Sequence, residues 1–402
     1  MRLLSKNDSV AKTVAVLFGC QWLVLQIIVW RQQVLAFSEH FWLGNDFEFL
    51  YSAAGNFLQG KSPYLEPNFI PLPPALYLPI ALHHLSFWNA FTVYRTINFF
   101  LVVVAILWLC RELRMNFINS AMMMVIVVTY GPFYSLLAGG NLDGLMLTFL
   151  VFACARRAWV RGAFLGLSIG TKVYSLLLIP VLTVRRRWRE IGWTVSVLAI
   201  LMLPFYRYWP DAFSSVFHRS AVLRLDGNES PAVLFILLFG EKRVWAWRSC
   251  YVLLWGGTLL ARLTADAKND GRADEERFRG LDYLPWMAAA PVLVFTYTGT
   301  ILLPLMARLA RRSQERTLGW AEWLMVAGFV GSGLYQTIYV RTLVGALTVF
   351  HVSYEDVKHV SLGVVPLGIA MILIGSAVAA WRIRAWEGNG GAKDKTKNVV
   401  VS

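Results

Sequence analysis

The stretch GNDFEFLYSAAGNFLQGKSPY, residues 44–64, brings carboxylates close to a strongly apolar segment. Its apolar residues recur at helical spacing, which predicts an amphipathic helix. Asp46 near its start could act as a general base if it faces water. Asp46 or Asn45 would equally suit the N-cap of that helix, and Gly60 would end it. The two roles of Asp46 are compatible if Asn45 is the cap, and Glu48 is the weaker candidate for chemistry.

Several cations could bind an anionic group. Lys172 lies inside an apolar, glycine-broken segment, where an ionisable residue is a functional candidate, although it could also extend to the membrane surface. Asp143 follows a turn and either caps the next helix or joins a site. For the remaining cations the alternative is anchoring at the membrane interface. They are Arg95, His218, Arg219 and Arg224.

Composition predicts an all-α, polytopic integral membrane protein. The 402 residues are 57% hydrophobic and 15% charged, and apolar runs near the length needed to span a bilayer recur along the chain. The net charge of +14 is concentrated in short clusters between these runs, which marks cytoplasmic loops and not a nucleic-acid surface. The four cysteines show no pairing or metal-ligand pattern and are expected to be buried thiols. No nucleotide-binding motif or pair of zinc ligands is recognisable either, and no metal or cofactor is expected.

Flanking charges set the predicted topology. One membrane domain covers 1–381 with about 10–12 helices, and its N-terminus and the disordered tail 382–402 are cytoplasmic. Its polar sections are a first external section at 31–92, a second external loop at 207–231 and a cytoplasmic loop at 264–283. Segments 162–184 and 284–306 carry basic clusters on both sides, which predicts a pair of short helices or a re-entrant hairpin at each.

The first external section contains two predicted short helices, one between the cap at Asn45 or Asp46 and Gly60, and one in PLPPALYLPIALHHL. Both are too short or too polar to span a bilayer, so they would lie in its interface. Two interfacial helices over a cavity would suit a reaction between a lipid-linked substrate and a water-exposed one.

The order of motifs resembles the GT-C glycosyltransferases, and more narrowly glycosyltransferase family 87, the polyprenyl-phosphate-mannose-dependent α-mannosyltransferases. The likeness begins with an acidic residue after the first helix and PPALYLPI. It continues through GGNLDGLMLTFLVFACARR, GAFLGLSIGTKVYSLLLIPVLTVRRRWR, GNESPAVLFILLFG and APVLVFTYTGTILLP, in order over most of 14–310. The turn reads GGN where the family has GQ, and the last motif lacks the Trp and His that the family often carries.

This resemblance implies an inverting transfer of a sugar, mannose by the closest likeness, from a polyprenyl-phosphate donor to a lipid or glycan hydroxyl. The family's catalytic aspartate falls on Asp46, and Tyr297 would stand in for the missing histidine. Arg95, Lys172 and the loop cations would hold the donor phosphate. Glu48, Tyr64 and Asp143 are weaker site candidates. The expected partners are the donor, the acceptor and membrane lipids, in the cell membrane.

Two other functions remain open at this stage. A flippase or transporter of lipid-linked sugars would also use broken helices and a membrane-embedded lysine. A polysaccharide polymerase or ligase would also have external loops, although the motif order fits it less well. A transporter, however, has no need of the long first external section.

Overall fold

The computed structural model describes residues 44–215, 232–240, 242–267, 277–289, 300–315, 317–334 and 367–380. Every regular element in these ranges is a helix, in agreement with the predicted all-α class. The predicted first membrane helix, the tail 382–402 and the centre of the segment 284–306 lie outside them.

Helix α1, Asn45–Leu58, is the amphipathic helix predicted from the sequence. Its N-cap residue is Gly44, in the left-handed conformation with φ of 74°, so the prediction that Asn45 or Asp46 is the cap was wrong. Gly60, with φ of 73°, turns the chain after the helix as predicted. Phe47 and Leu50 of the predicted apolar face are buried, whereas Leu58, which was predicted on the same face, is 54% exposed.

Proline-rich 3₁₀ turns at Pro63–Leu65 and Pro73–Leu76 lead to the short helix α2, Tyr77–Leu82. The hydroxyl of Tyr51 on α1 donates a hydrogen bond to the carbonyl of Leu85 at 2.7 Å. The two predicted short helices therefore pack on one another and on the start of the next helix.

Helix α3, Phe87–Glu112, packs against α1 and α2 and against several of the helices that follow it. It is followed by α4, Phe117–Thr129, and α5, Gly131–Gly139. The continuous apolar run at 118–138 favours a single helix by sequence alone, but the structure breaks it at Tyr130, whose backbone is extended. Pro132 explains the break, because it lacks an N–H donor and its ring excludes the carbonyl of the preceding turn.

The segment 162–184 is broken as predicted. After α6, Asp143–Phe152, helix α7, Ala158–Thr171, ends at Lys172, whose backbone is extended with φ of −147°. The 3₁₀ turn Val173–Leu177 and helix α8, Leu178–Val184, then run back. Arg161 at the start of α7 and Arg185 after α8 line the same pocket, so the pair forms a hairpin with both basic ends together.

The remaining helices complete the bundle. Helix α9, Trp188–Met202, packs along α7. The others are α10 (Trp209–Ser214), α11 (Ala232–Phe239), α12 (Val244–Ala267), α13 (Leu284–Ala289), α14 (Leu303–Glu315), α15 (Trp320–Leu334) and α16 (Leu367–Ala380).

A buried ion network joins the C-terminal helices. Asp282, in the 3₁₀ turn Arg279–Tyr283, lies 2.7 Å from Arg262 of α12 and 2.8 Å from Arg308 of α14. Burial opposes ionisation of Asp282, but these guanidinium groups outweigh it and hold its pKa below the ordinary value. Asp282 is therefore an ionised junction between helices that are distant in sequence.

Within the described residues, two helical segments are long and apolar enough to cross a membrane, Phe87–Glu112 and Trp188–Ser214. The second is largely unburied and exposes large apolar side chains such as Val195 and Ile200. Such a continuous apolar surface is expected to face lipid or another apolar partner. The predicted number of membrane crossings stays a prediction.

The close packing of α7 on α9 depends on Gly162. A Cβ at Gly162 would lie 2.5 Å from the carbonyl oxygen of Glu190, whereas a Cβ at Gly192 of α9 would meet nothing within 4 Å. We expect Gly162→Ala to lower the free energy of unfolding by about 1–3 kcal/mol through overpacking. Gly192→Ala should leave it unchanged or raise it, because alanine favours the helix. Thermal unfolding in detergent measures both, and equal stabilities would contradict this packing.

Candidate functional site

The candidate site is built where the start of α1 meets the loop between α5 and α6. The backbone N–H of Gly44 donates to the carbonyl of Ala138 at 2.8 Å, which holds the two chain segments together. Gly140 has φ of 71°, and a Cβ there would lie 2.6 Å from the Cβ of Phe47. Only glycine allows both this backbone conformation and this approach. The loop GGNLDG thereby comes within reach of Asp46.

Asn141 joins Asp46 to the rest of the site. Its side-chain nitrogen donates a hydrogen bond to Oδ2 of Asp46 at 2.8 Å. Its side-chain oxygen accepts from Nζ of Lys172 at 3.0 Å and from the backbone N–H of Asp143 at 3.0 Å. Two donors on the oxygen fix which way the amide points, and so direct its nitrogen to the aspartate. The carboxylate of Asp46 is therefore oriented by residues far away in sequence.

Lys172 and Asp143 form an ion pair behind Asn141. Nζ of Lys172 lies 2.8 Å from Oδ1 of Asp143, whose side chain is fully buried. The ammonium group also lies 5.3 Å from the ring centroid of Tyr174. A buried carboxylate of this kind requires its cation, because leaving either charge alone in the interior is strongly unfavourable.

The break in the helix puts Lys172 in this position. Continuing α7 would carry the chain past the site, whereas the extended backbone at Lys172 ends the helix there. Ser168 before the break and Ser175 after it share a hydrogen bond of 2.6 Å, and both are buried. The broken segment is thus a fixed part of the bundle, which is the condition for irregular backbone away from water.

Aromatic residues of α1 and α3 form one wall of the site. The rings of Phe47 and Tyr94 lie 4.7 Å apart, and both side chains are fully buried. Asn98, one turn beyond Tyr94, packs so closely on α6 that a Cβ at Gly144 would be 2.5 Å from its side-chain oxygen. The packing of α3 on both α1 and α6 therefore fixes the position of Asp46 relative to Asp143.

The structure brings together three of the predicted residues, Asp46, Asp143 and Lys172. Glu48 is exposed on the other face of α1. Arg95 is buried in α3 with its guanidinium 5.3 Å from the centroid of the Phe91 ring. Tyr64 is buried away from this cluster, and its hydroxyl donates to Pro71 O at 2.8 Å. His218, Arg219, Arg224 and Tyr297 lie outside the described residues.

Sequence reasoning missed Asn141, Tyr94 and Tyr174. Asn141 stands between two glycines and an acidic residue in GGNLDG, and a polar residue in a turn between apolar helices was the available signal. Tyr94 gave no signal, because an aromatic residue on an apolar helix is usually part of the core.

This arrangement can accept a proton and can orient a polar substrate. An oriented carboxylate at the edge of an aromatic wall can take a proton from a hydroxyl, and an embedded cation nearby favours an anionic substrate group. Among the residues that the structure describes, no group of three or more His, Cys, Asp or Glu side chains could hold a metal ion.

Comparison with known proteins adds the family. Residues 71–280 match the model of Glycosyltransferase family 87, a range that contains Asn141, Asp143 and Lys172 and begins after Asp46. The fold is similar to that of ArnT from Cupriavidus metallidurans bound to undecaprenyl phosphate. The identity is 14% and the TM-score 0.44, covering 91% of this chain and 76% of that one. A search of curated proteins gives no match.

The contact between Gly140 and α1 can be tested against a matched position. Gly60 has nearly the same φ as Gly140 but has nothing within 4 Å of its Cβ position. Alanine is strained equally at both, so the difference reports the clash with Phe47. We expect Gly140→Ala to lower the free energy of unfolding by about 1–3 kcal/mol more than Gly60→Ala. Chemical or thermal unfolding gives the difference, and a value near zero would mean that α1 does not rest on this loop.

Proposed function

Because the chain belongs to glycosyltransferase family 87, we propose that it is a membrane glycosyltransferase that uses a polyprenyl-phosphate sugar. The sugar is mannose and the acceptor is a hydroxyl of a lipid-linked or glycan molecule on the external face of the membrane. The observation that carries the proposal is the hydrogen bond from Asn141 to Asp46 at 2.8 Å. It ties the proposed base to the part of the chain that matches the family.

Asp46 acts as the general base in this reaction. Its carboxylate takes the proton of the acceptor hydroxyl while that oxygen attacks the anomeric carbon of the sugar. The bond between the anomeric carbon and the phosphate oxygen breaks on the opposite face, so the configuration inverts. The products are the glycosylated acceptor and the polyprenyl phosphate, and Asp46 then releases its proton to water. The bond from Asn141 keeps the carboxylate in one orientation during the attack.

The leaving phosphate needs positive charge or hydrogen-bond donors near the outer interface. Lys172 is the best supported candidate, because it already lies in the same hydrogen-bonded group as Asp46. Its pair with Asp143 holds it in place and offsets part of its charge. Arg95, one residue after Tyr94 of the aromatic wall, is the second candidate. His218, Arg219, Arg224 and Tyr297 are proposed as further donor contacts.

The two ends of the bundle support the proposed orientation. Asn98 lies beside Gly144 at the level of the site, and Glu112 at the far end of α3 pairs with Arg277. Glu112 lies 14 positions after Asn98 along the helix, which separates these levels by about 21 Å. The far end is rich in arginine, and such ends face the cytoplasm. The site then opens toward the external side, where a lipid-linked sugar and a water-exposed acceptor can meet.

The base is tested by Asp46→Asn, which keeps the size of the side chain and removes its basicity. We expect transfer from polyprenyl-phosphate mannose to fall by at least about 10²-fold, as for the loss of a general base. Glu48→Gln on the exposed face of the same helix removes one carboxylate and should transfer at the wild-type rate. Product formation in detergent with lipid and glycan acceptors is the measurement.

Transfer by Asp46→Asn at the wild-type rate would show that another group takes the proton. Movement of the lipid-linked sugar across vesicles, without any transfer by the wild type, would favour a flippase instead.

The role of Lys172 can be separated from its ion pair. Lys172→Met leaves Asp143 as a buried, uncompensated charge and should cost about 3–5 kcal/mol of stability. The double variant Lys172→Met/Asp143→Asn removes both charges, so we expect most of the stability to return. If Lys172 contacts the donor phosphate, the KM for the donor should stay raised in this stable double variant. A lower kcat with an unchanged donor KM would restrict Lys172 to orienting Asn141.

A further inference from the structure

We propose that the hydroxyl of Tyr174 donates a hydrogen bond to the phosphate of the polyprenyl-phosphate donor. Tyr174 lies in the 3₁₀ turn Val173–Leu177, two residues after Lys172. This inference rests on the proposed function, because it names the part of that substrate which the side chain contacts. It adds a neutral hydrogen-bond donor to the cations considered above.

The hydroxyl of Tyr174 lies among the charged groups of the candidate site. The ammonium group of Lys172 and the carboxylates of Asp143 and Asp46 all act on it electrostatically. No described residue forms a hydrogen bond with this hydroxyl, and the side chain is partly exposed. A tyrosine hydroxyl that is largely removed from water usually has a hydrogen-bond partner. A polar atom of a bound substrate can be that partner.

The chain fixes the position of Tyr174 on both sides. Before it, Lys172 is held by its ion pair with Asp143 at 2.8 Å. After it, the buried Ser175 shares a hydrogen bond of 2.6 Å with Ser168 of α7. The ring of Tyr174 packs against the hydrophobic core, with its centroid 5.3 Å from Nζ of Lys172. A donor fixed in this way loses little conformational freedom when the substrate binds.

Lys172 alone offers few donors to a phosphate. Its ammonium group has three N–H donors, and two of them are directed to Asp143 and Asn141. The carboxylate of Asp143 also offsets its charge. When the bond to the sugar breaks, the phosphate gains negative charge and a third free oxygen. A second donor beside Lys172 would stabilise that charge as it develops, which favours the transition state over the bound substrate.

A neutral donor suits a site that contains two carboxylates. A further cation here would stabilise the ionised form of Asp46 and so reduce its basicity. The hydroxyl of Tyr174 can hold a phosphate oxygen without this effect. The charge of Lys172, by contrast, is already paired with Asp143. The chemistry of the base therefore favours a phenol over a second lysine or arginine at this position.

The test measures binding separately from transfer. Purified full-length protein in detergent is titrated with polyprenyl phosphate, polyprenyl-phosphate mannose or polyprenol, and bound ligand is counted by native mass spectrometry. The variant is Tyr174→Phe, which removes only the hydroxyl. Its control is Tyr206→Phe, in the 3₁₀ turn Leu203–Tyr208, where a 57% exposed tyrosine accepts a hydrogen bond from Arg207.

We expect Tyr174→Phe to bind polyprenyl phosphate at least about tenfold more weakly than the wild type, as for loss of a hydrogen bond to a charged group. Polyprenol, which lacks the phosphate, should bind both proteins equally. The control variant should bind all three ligands like the wild type. The kcat for transfer should fall in Tyr174→Phe as well, because the hydrogen bond strengthens as the phosphate leaves.

Equal affinity of Tyr174→Phe and the wild type for polyprenyl phosphate would overturn the proposal and leave the proposed function intact. A loss confined to polyprenyl-phosphate mannose would also overturn it, since the hydroxyl would then contact the sugar. Lower stability with unchanged binding would show that the chain itself supplies the partner of the hydroxyl, and the proposal would be wrong. A wild type that binds no polyprenyl phosphate would instead contradict the proposed donor, and this contact with it.

Discussion

The pair of Lys172 and Asp143 is the constraint on which the rest of the site depends. Asp143 has no access to water, so its charge is tolerable only with the ammonium group 2.8 Å away. Lys172 can reach it because α7 ends there with an extended residue. Once the pair is formed, the oxygen of Asn141 has a fixed donor and its nitrogen a fixed direction. The orientation of Asp46 is thus set by a charge balance deeper in the bundle.

Close backbone approach is the second condition, and it explains the glycines of this region. Gly140 lets the loop meet Phe47, and Gly144 lets α6 meet Asn98 of α3. Gly162 and Gly166 let α7 lie against α9, which holds the break at Lys172 in place. Small residues of this kind permit tight helix contacts in a lipid environment, where apolar side chains gain little from leaving the solvent. A single chain of contacts therefore runs from α9 to the carboxylate of Asp46.

The elements with strong local signals were predictable. Helical periodicity predicted α1, and the basic clusters on both sides of 162–184 predicted the hairpin of α7 and α8. The predicted helix cap was wrong because Gly44 is held by its hydrogen bond to Ala138. This contact is distant in sequence, so helix-capping preferences do not reveal it. The break at Tyr130 was missed although Pro132 signals it, because the apolar run continues past it. Asp46, Asp143 and Lys172 were separate candidates in the sequence, and only the fold shows that Asn141 joins them. Such long-range hydrogen bonds leave no periodic pattern.

Both ends of the bundle are polar, but buried charges are stabilised differently at each end. At the Asp46 end, Lys172 pairs with the buried carboxylate of Asp143 and also donates to the amide of Asn141, so the buried pair is neutral and the amide is oriented. At the opposite end, the carboxylates of Glu190 and Glu112 are each shared by two guanidinium groups. An orienting network suits proton transfer, because its geometry has to survive the reaction unchanged. Shared carboxylates instead join chain segments, since Glu190 of α9 pairs with Arg161 of α7 and Glu112 of α3 pairs with Arg277. The helices that separate the two ends, α3 and the α7–α8 hairpin, thus keep the candidate site apart from the ion pairs that hold the helix ends together.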